Sequence, residues 1–290
     1  NVKYLLSLLF LCIGNFAHTQ SYVHQFEHYP VVQYDKNHLQ LPGDSSKFYT
    51  FFKKLDRLIF EGEGDVNIVH FGGSHVQADI WTYELRQEFQ QLMPGIKGTR
   101  GFVFPYQIAK TNSPNDFKVS YTGTWTSCKN VQRSKDCPLG VSGIMVETKD
   151  TLTHILVSFK DSLQKFQSVK IFHDQDSSSY LPIPKADSSL WQMKRFIKEG
   201  YTEFIFNQLT DTLSFDIQKT DTLQSHFVLY GILFEREGPS LQYHGIGVNG
   251  ADLTAYLRCS KMEEQLAILN PDLVIFSVGI NDANTKTFDQ

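Results

Sequence analysis

The stretch Val66-Asn67-Ile68-Val69-His70-Phe71-Gly72-Gly73-Ser74-His75 decides how the chain is read. Val66 to Phe71 is a short, mostly apolar run, the signature of a strand buried on both faces of a parallel sheet. Gly72 and Gly73 permit a sharp turn. Trp81, Leu85, Phe89 and Leu92 then recur at helical spacing and predict a helix with that stripe against the core. The order is strand, glycine turn, helix. Ligands of open α/β sheets bind at this edge, so Ser74 is the first candidate nucleophile. Serine in this position also caps helices, and position alone leaves that alternative open.

Working outward, Phe48, Phe51, Phe52, Leu55, Leu58 and Ile59 follow an i, i+3, i+4, i+7 rhythm and predict a helix from Ser46 to Phe60. The polar Glu61 to Asp65 turn ends it. Between Gly101 and Gly238 the rhythm changes. Phe117 to Tyr121, Ile144 to Glu147, His154 to Phe159, Val169 to His173, Glu203 to Asn207, Leu213 to Ile217 and Phe227 to Glu235 read as strands, which together predict a β-sandwich. After Pro239 the helix and strand alternation returns. Leu253, Tyr256, Leu257, Met262, Leu266 and Leu269 predict a helix from Asp252 to Leu269. Asn270-Pro271-Asp272 breaks it, and Leu273 to Val278 reads as a second fully buried strand. An α/β domain interrupted by an all-β insert is expected.

The 290 residues are 41% hydrophobic and 13% aromatic, with 27 Lys+Arg against 31 Asp+Glu. That composition excludes a disordered or collagen-like chain. A net charge of -4 argues against nucleic acid as a partner, because phosphate binding needs a basic face. The chain begins at Asn1 without an initiator Met. Lys3, the apolar run from Tyr4 to Ile13 and the small residues Ala17 and Thr19 read as a secretory signal peptide over residues 1–19. The run is shorter than the ~20 residues a membrane-spanning helix needs. The protein is therefore expected to be exported, periplasmic or at the cell surface, and not integral to a membrane. Cys128 and Cys137 could pair in an oxidising compartment, leaving Cys259 as a buried helix residue. No Cys-x-x-Cys pair occurs, and no metal or organic cofactor is expected.

Two further loops carry candidate chemistry. Gly245-Ile246-Gly247-Val248-Asn249-Gly250-Ala251-Asp252 reads as a glycine-rich loop opening a helix, where the Gly250 N–H can point into a site. It is neither a phosphate loop nor a dinucleotide fingerprint, since the required spacing fails. Gly279-Ile280-Asn281-Asp282 follows the second strand, and the Asn281 amide can donate to an oxyanion without adding charge. Each loop alone is also readable as an ordinary turn.

Together these residues resemble the first three sequence blocks of the SGNH (GDSL-type) hydrolases: Phe71-Gly72-Gly73-Ser74-His75, the Gly250 loop, and Gly279-Ile280-Asn281-Asp282. The resemblance implies a flavodoxin-like, three-layer α/β domain with a parallel sheet, and a nucleophile at Ser74. It also implies an oxyanion hole made by the N–H groups of Ser74 and Gly250 and the side chain of Asn281. Gly98 to Pro105, with its Gly-x-x-Gly-Phe-Val-x-Pro pattern, and the Asn249-Gly250-Ala251 block resemble exported peptidoglycan O-acetylesterases of that family, which carry a β-sandwich insert. The implied layout is a signal peptide at 1–19, a first hydrolase segment at 20–100, a carbohydrate-binding-like insert at 101–238 and a second hydrolase segment at 239–290.

Two departures stand out. Gly73 replaces the usual Asp before the serine. The Asp-x-x-His block that supplies the general base does not follow Asp282 in this sequence. The expectation is accordingly a chain whose C-terminal hydrolase part, with the base, is missing, and which does not turn over as written. Asp35-Lys36-Asn37-His38 matches that block by letters but precedes the nucleophile strand, so it reads as a surface turn. His75 is expected to line the site, His70 to be a core residue, and His244 to come within reach of the cleft. The expected reaction is deacetylation of an O-acetylated peptidoglycan or other cell-wall glycan through an acyl-serine. The alternatives are an O-acetyltransferase or a non-catalytic glycan-binding protein. Trp125, Tyr180 and Trp191 are candidate sugar-stacking residues, with burial in the core as the competing expectation.

Overall fold

The computed structural model describes residues 29–36, 38–92, 95–160 and 164–283, so the signal-peptide expectation at 1–19 lies outside the described residues. The chain divides into units of residues 1–45 and 46–290. In the first, Tyr34–Lys36 forms a 3-10 turn and the Tyr29 N–H donates to the Tyr34 hydroxyl at 3.0 Å.

The second unit begins with α1 (Ser46–Asp56), prolonged by a π-helical turn over Arg57–Glu61, and then β1 (Asp65–Gly72), α2 (Ser74–Gln77) and α3 (Ile80–Gln90). Eleven strands follow: β2 (Phe102–Val103), β3 (Phe117–Tyr121), β4 (Thr126–Lys129), β5 (Ile144–Thr148), β6 (Leu152–Phe159), β7 (Phe166–His173), β8 (Leu181–Pro184), β9 (Trp191–Phe196), β10 (Tyr201–Thr210), β11 (Thr212–Gln218) and β12 (Phe227–Glu235). The rest is β13 (Ser240–Gly247), α4 (Leu253–Tyr256), α5 (Met262–Leu269) and β14 (Leu273–Ser277).

The expected fold class needs correction. A flavodoxin-like α/β domain would make a parallel sheet the main feature, whereas among the described residues the parallel strand pairs are those of one three-stranded sheet ordered β13-β1-β14. The other eleven strands lie in antiparallel sheets, a seven-stranded one built around β5-β12-β7-β10 and a four-stranded one ordered β3-β6-β11-β8. The molecule is mainly β, and antiparallel. The physical reason is where the apolar residues fall. Alternating runs such as Leu213, Phe215 and Ile217 in β11, buried on one face, suit half-buried antiparallel strands, and they outnumber the continuous run that suggested a parallel sheet.

The main core is rich in aromatic residues. Phe159, Phe166 and Phe234 meet edge-to-face with centroids 4.8 to 6.1 Å apart, the geometry that ring quadrupoles favour. Val69 and Phe71 of β1 belong to the same core as β12. A smaller cluster joins Phe51 and Leu58 to Val66, Ile68, Leu241 and Tyr243 beneath α1.

Several local expectations shift. The helix over Asp252 to Leu269 is two short helices, with Cys259 buried between them. Among the described residues β14 is an edge strand, with Val274 and Phe276 exposed, where a strand buried on both faces was expected. In α3, Trp81 and Leu85 face solvent while Thr82 and Arg86 are buried. Cys128 and Cys137 form a disulfide. Among the described residues no helix is long and apolar enough to cross a membrane.

Candidate functional site

β1 and β13 run parallel and end in register at Gly72 and Gly247. There α2 packs directly onto the strand ends. A Cβ on Gly247 would lie 2.1 Å from the Gln77 backbone N, and one on Gly72 would lie 2.3 Å from the Val76 side chain. Both positions need glycine for this close approach. The hydroxyls of Tyr256 and Tyr106 donate to the carbonyls of Gly72 and Gly247, at 2.7 and 3.1 Å, and so satisfy two buried acceptors at the strand ends.

Ser74 opens α2, and Gly73, not Ser74, is the residue that caps the helix. The serine hydroxyl is therefore not used as a cap. Ser74 is exposed and lines a cleft of about 360 Å³ with Gly73, His75, Trp81, Ala251, Ser277 and Asn281. The Asn281 Nδ2 donates to the Ala251 carbonyl at 2.9 Å. It lies close over Gly73, where a Cβ would approach it to 3.2 Å. The Leu253 N–H donates to the Asp282 carboxylate at 3.1 Å. Three loops far apart in sequence thus converge. Gly250 itself has φ +80° and is exposed; its neighbour Ala251, not Gly250, lines the cleft.

A residue that sequence reasoning passed over organises the second loop. Gln77 is buried, and its Oε1 accepts from the Asn249 N–H at 2.7 Å. Its Nε2 donates to the Asn112 carbonyl at 2.7 Å and to Thr111 Oγ1 at 3.0 Å. Gln77 is three positions after Ser74 on a helix, on a turn facing β13, which was the available signal. Trp81 was also read as core, yet it is half exposed in the cleft, with its ring centroid 6.2 Å from those of His70 and His75.

The histidines divide clearly. His70 is buried under the cleft between the hydroxyls of Tyr243, at 2.6 Å, and Ser277. Burial pushes its pKa down to about 4, so it stays neutral with both ring nitrogens engaged. His244 does not reach the cleft. It is fully enclosed, its Nδ1 accepts the Phe102 N–H at 2.9 Å, and burial, reinforced by Arg100 and Arg86, lowers its pKa to about 3. The β13 strand carries it inward because the expected loop starts later than Gly245. His75 is exposed and lines the cleft, as expected.

Beneath α3 lies a buried network of two acids and two bases. Arg86 pairs with Asp79 and, at 3.0 Å, with Asp116; Arg100 pairs with Asp79 at 3.2 Å and Asp116 at 2.6 Å. Burial pushes Asp79 upward, but Arg100 and Arg86 outweigh it and hold the carboxyl below its ordinary value. This network is why Arg86 points inward on α3 while Trp81 and Leu85 face out.

Among the described residues one group, Asp174, Asp176 and His226, brings metal-ligand atoms within 4.8 Å of one another. Its carboxylates already accept from the Tyr230 hydroxyl at 2.9 Å and from Ser178, so hydrogen bonds account for the cluster. Trp125 and Tyr180 are core residues, with side chains bonded to the carbonyls of Thr122 and Lys149. Trp191 is half-buried against Phe204.

No family model matches the chain, and no curated protein matches it. Among solved structures, the chain is similar to a peptidoglycan O-acetylesterase, with TM-score 0.56 and 21% identity over 85% of this chain and 65% of that one. It also overlaps a β-galactosidase of Streptococcus pneumoniae (TM-score 0.24, 10% identity, 32% of this chain and 75% of that one). An α-1,3-glucanase catalytic domain bound to nigerose overlaps it at TM-score 0.25 and 10% identity, over 48% of this chain and 30% of that one. The last two are too distant to bear on the fold. The chain thus spans just under two thirds of the length of the O-acetylesterase whose fold it shares.

Proposed function

We propose that the protein is an exported serine esterase of the SGNH type that removes O-acetyl groups from peptidoglycan or another cell-wall glycan. The observation that carries this reading is the convergence of Ser74, Ala251 and Asn281 on one cleft at the ends of parallel strands. The fold shared with a peptidoglycan O-acetylesterase supports the choice of substrate.

In this reading Ser74 Oγ attacks the acetyl carbonyl of the glycan, forming a tetrahedral intermediate. Asn281 Nδ2 carries two hydrogens, of which Ala251 takes one; the other is available for the oxyanion. The N–H groups of Ser74 and of Gly250, the latter brought in by the loop whose Ala251 lines the cleft, would complete the hole. The intermediate collapses with departure of the sugar hydroxyl, which takes up the proton lost by Ser74. Water then attacks the acetyl-serine, releasing acetate and restoring the hydroxyl. The proton relay would fall to a histidine of the family's Asp-x-x-His block and not to His70 or His244, whose rings are buried and neutral. Residues 101–238 would serve as a glycan-steering insert between the two hydrolase segments at 20–100 and 239–290.

The test is hydrolysis of p-nitrophenyl acetate by the full-length protein and by its Ser74→Ala variant, with and without a glycan acceptor. Ser74-dependent hydrolysis supports the reading. Acetyl transfer that outpaces hydrolysis when acceptor is present would replace it with the transferase.

A further inference from the structure

We propose that Arg133, carried by the disulfide-closed loop after β4, is a positioning residue for the Gly250 loop, fixing one side of the oxyanion hole to the antiparallel sheet. The inference rests on the esterase reading above. The Gly250 loop has an anchor on either side of its glycine. Gln77 accepts the Asn249 N–H at 2.7 Å, and one guanidinium nitrogen of Arg133 donates to the Asp252 carboxylate at 2.6 Å and to Thr254 Oγ1 at 2.8 Å. The other oxygen of that carboxylate caps α4, accepting from the Ala255 N–H at 2.7 Å and from Thr254 Oγ1 at 2.9 Å. Burial pushes the Asp252 carboxyl upward, but Thr254, Ala255 and Arg133 outweigh it and hold it below its ordinary value, so it faces Arg133 as an anion.

A second arginine makes the reverse contact. Arg258, just beyond α4, donates to the carbonyls of Asn130 and Lys135, both at 2.5 Å. The Lys261 N–H adds a bond to the Leu139 carbonyl at 2.9 Å. The loop that receives these contacts is itself fixed. Its ends are joined by the Cys128–Cys137 disulfide, Cys128 lies on β4 in register with Met145 of β5, and the buried Asn130 donates its N–H to the Gly143 carbonyl at 2.8 Å. The ties from Asn281 and Asp282 join the two cleft loops to each other, whereas the two arginines join that pair to the seven-stranded sheet. The Arg133 side chain is 62% exposed and that of Asp252 12%. An ion pair this open adds little to overall stability. What it fixes is the place of the loop.

The experiment compares the full-length protein with its Arg133→Ala and Arg133→Lys variants in p-nitrophenyl acetate kinetics, thermal unfolding and amide hydrogen exchange over residues 249–256. Arg133→Ala is expected to melt at nearly the wild-type temperature and to exchange the Ala255 amide about tenfold faster. Its kcat should fall about tenfold with KM nearly unchanged, short of the hundredfold or more that outright loss of an oxyanion donor costs. Arg133→Lys keeps a charged donor for Asp252 and should recover most of both changes. Unchanged exchange in Arg133→Ala, faster exchange with kcat intact, or a loss of kcat that Arg133→Lys does not restore overturns the positioning role. If the wild type shows no Ser74-dependent hydrolysis while Arg133→Ala still exchanges faster, the esterase reading fails and the tether between loop and sheet stands.

Discussion

The side-chain amide of Asn281 donates to the backbone carbonyl of Ala251 at 2.9 Å, tying the loop after β14 to the loop after β13. The Leu253 N–H to Asp282 bond repeats that tie two residues further along. The two loops therefore hold each other in place at the mouth of the Ser74 cleft. An oxyanion hole needs this kind of arrangement, because its donors must be fixed before charge develops.

Asn281→Ala should lower kcat by about a hundredfold or more while leaving KM for a small acetyl ester nearly unchanged. Steady-state kinetics on the full-length protein measure this. A change confined to KM would place Asn281 in substrate binding.

Gln77 accepts the Asn249 N–H at 2.7 Å from inside the fold. Gln77→Leu keeps the volume but strands that N–H, at a cost of about 1–3 kcal/mol. The variant should melt earlier, and its kcat should fall without a matching rise in KM, because the Gly250 loop loses its anchor. Thermal unfolding and kinetics together separate this from a purely structural role, which would leave kcat of the folded fraction intact.

Arg86 is fully buried between Asp79 and Asp116. Arg86→Met leaves both carboxylates with only Arg100, and breaking a buried pair from one side costs about 3–5 kcal/mol. Urea denaturation should show that loss, since the network links α3 to the segment that carries β3.

His70, His173 and His244 have pKa values lowered by burial to about 4, 3 and 3. The unfolded chain binds protons on these groups from about pH 6.5 downward, while the folded chain does not until far lower. Stability should hold above pH 6.5 and fall as the pH drops toward 3. His244→Gln keeps an acceptor for the Phe102 N–H and removes one of these three sites, so its stability profile between pH 6.5 and 3 should be flatter. Denaturant midpoints across that range measure it.

Much of this was legible in the residues. Val66 to Phe71 and Phe227 to Glu235 are mostly apolar runs, and both are strands where expected. The approach of the three loops was legible only through the family resemblance, since nothing in their local patterns places them together. β13 was missed because Gln242, His244, Gly245 and Gly247 interrupt its apolar pattern; their burial comes from neighbours on β1 and from α2, which sequence periodicity does not register. The stripe of α3 was misread for the opposite reason. A charged residue, Arg86, is the buried one, because its partners are Asp79, seven residues back, and Asp116, 30 residues on. The fold class failed on proportion: the strand and glycine turn at Ser74 are local truth about a three-stranded sheet within a mainly antiparallel molecule.

The most direct test of the account is acetate release from O-acetylated peptidoglycan by the full-length protein and by its Ser74→Ala variant. The expected result is release by the wild type and a drop of about 10⁴-fold or more in the variant, as removal of a serine nucleophile produces. Equal release by both proteins would contradict the assignment of Ser74, and no release by either would contradict the esterase.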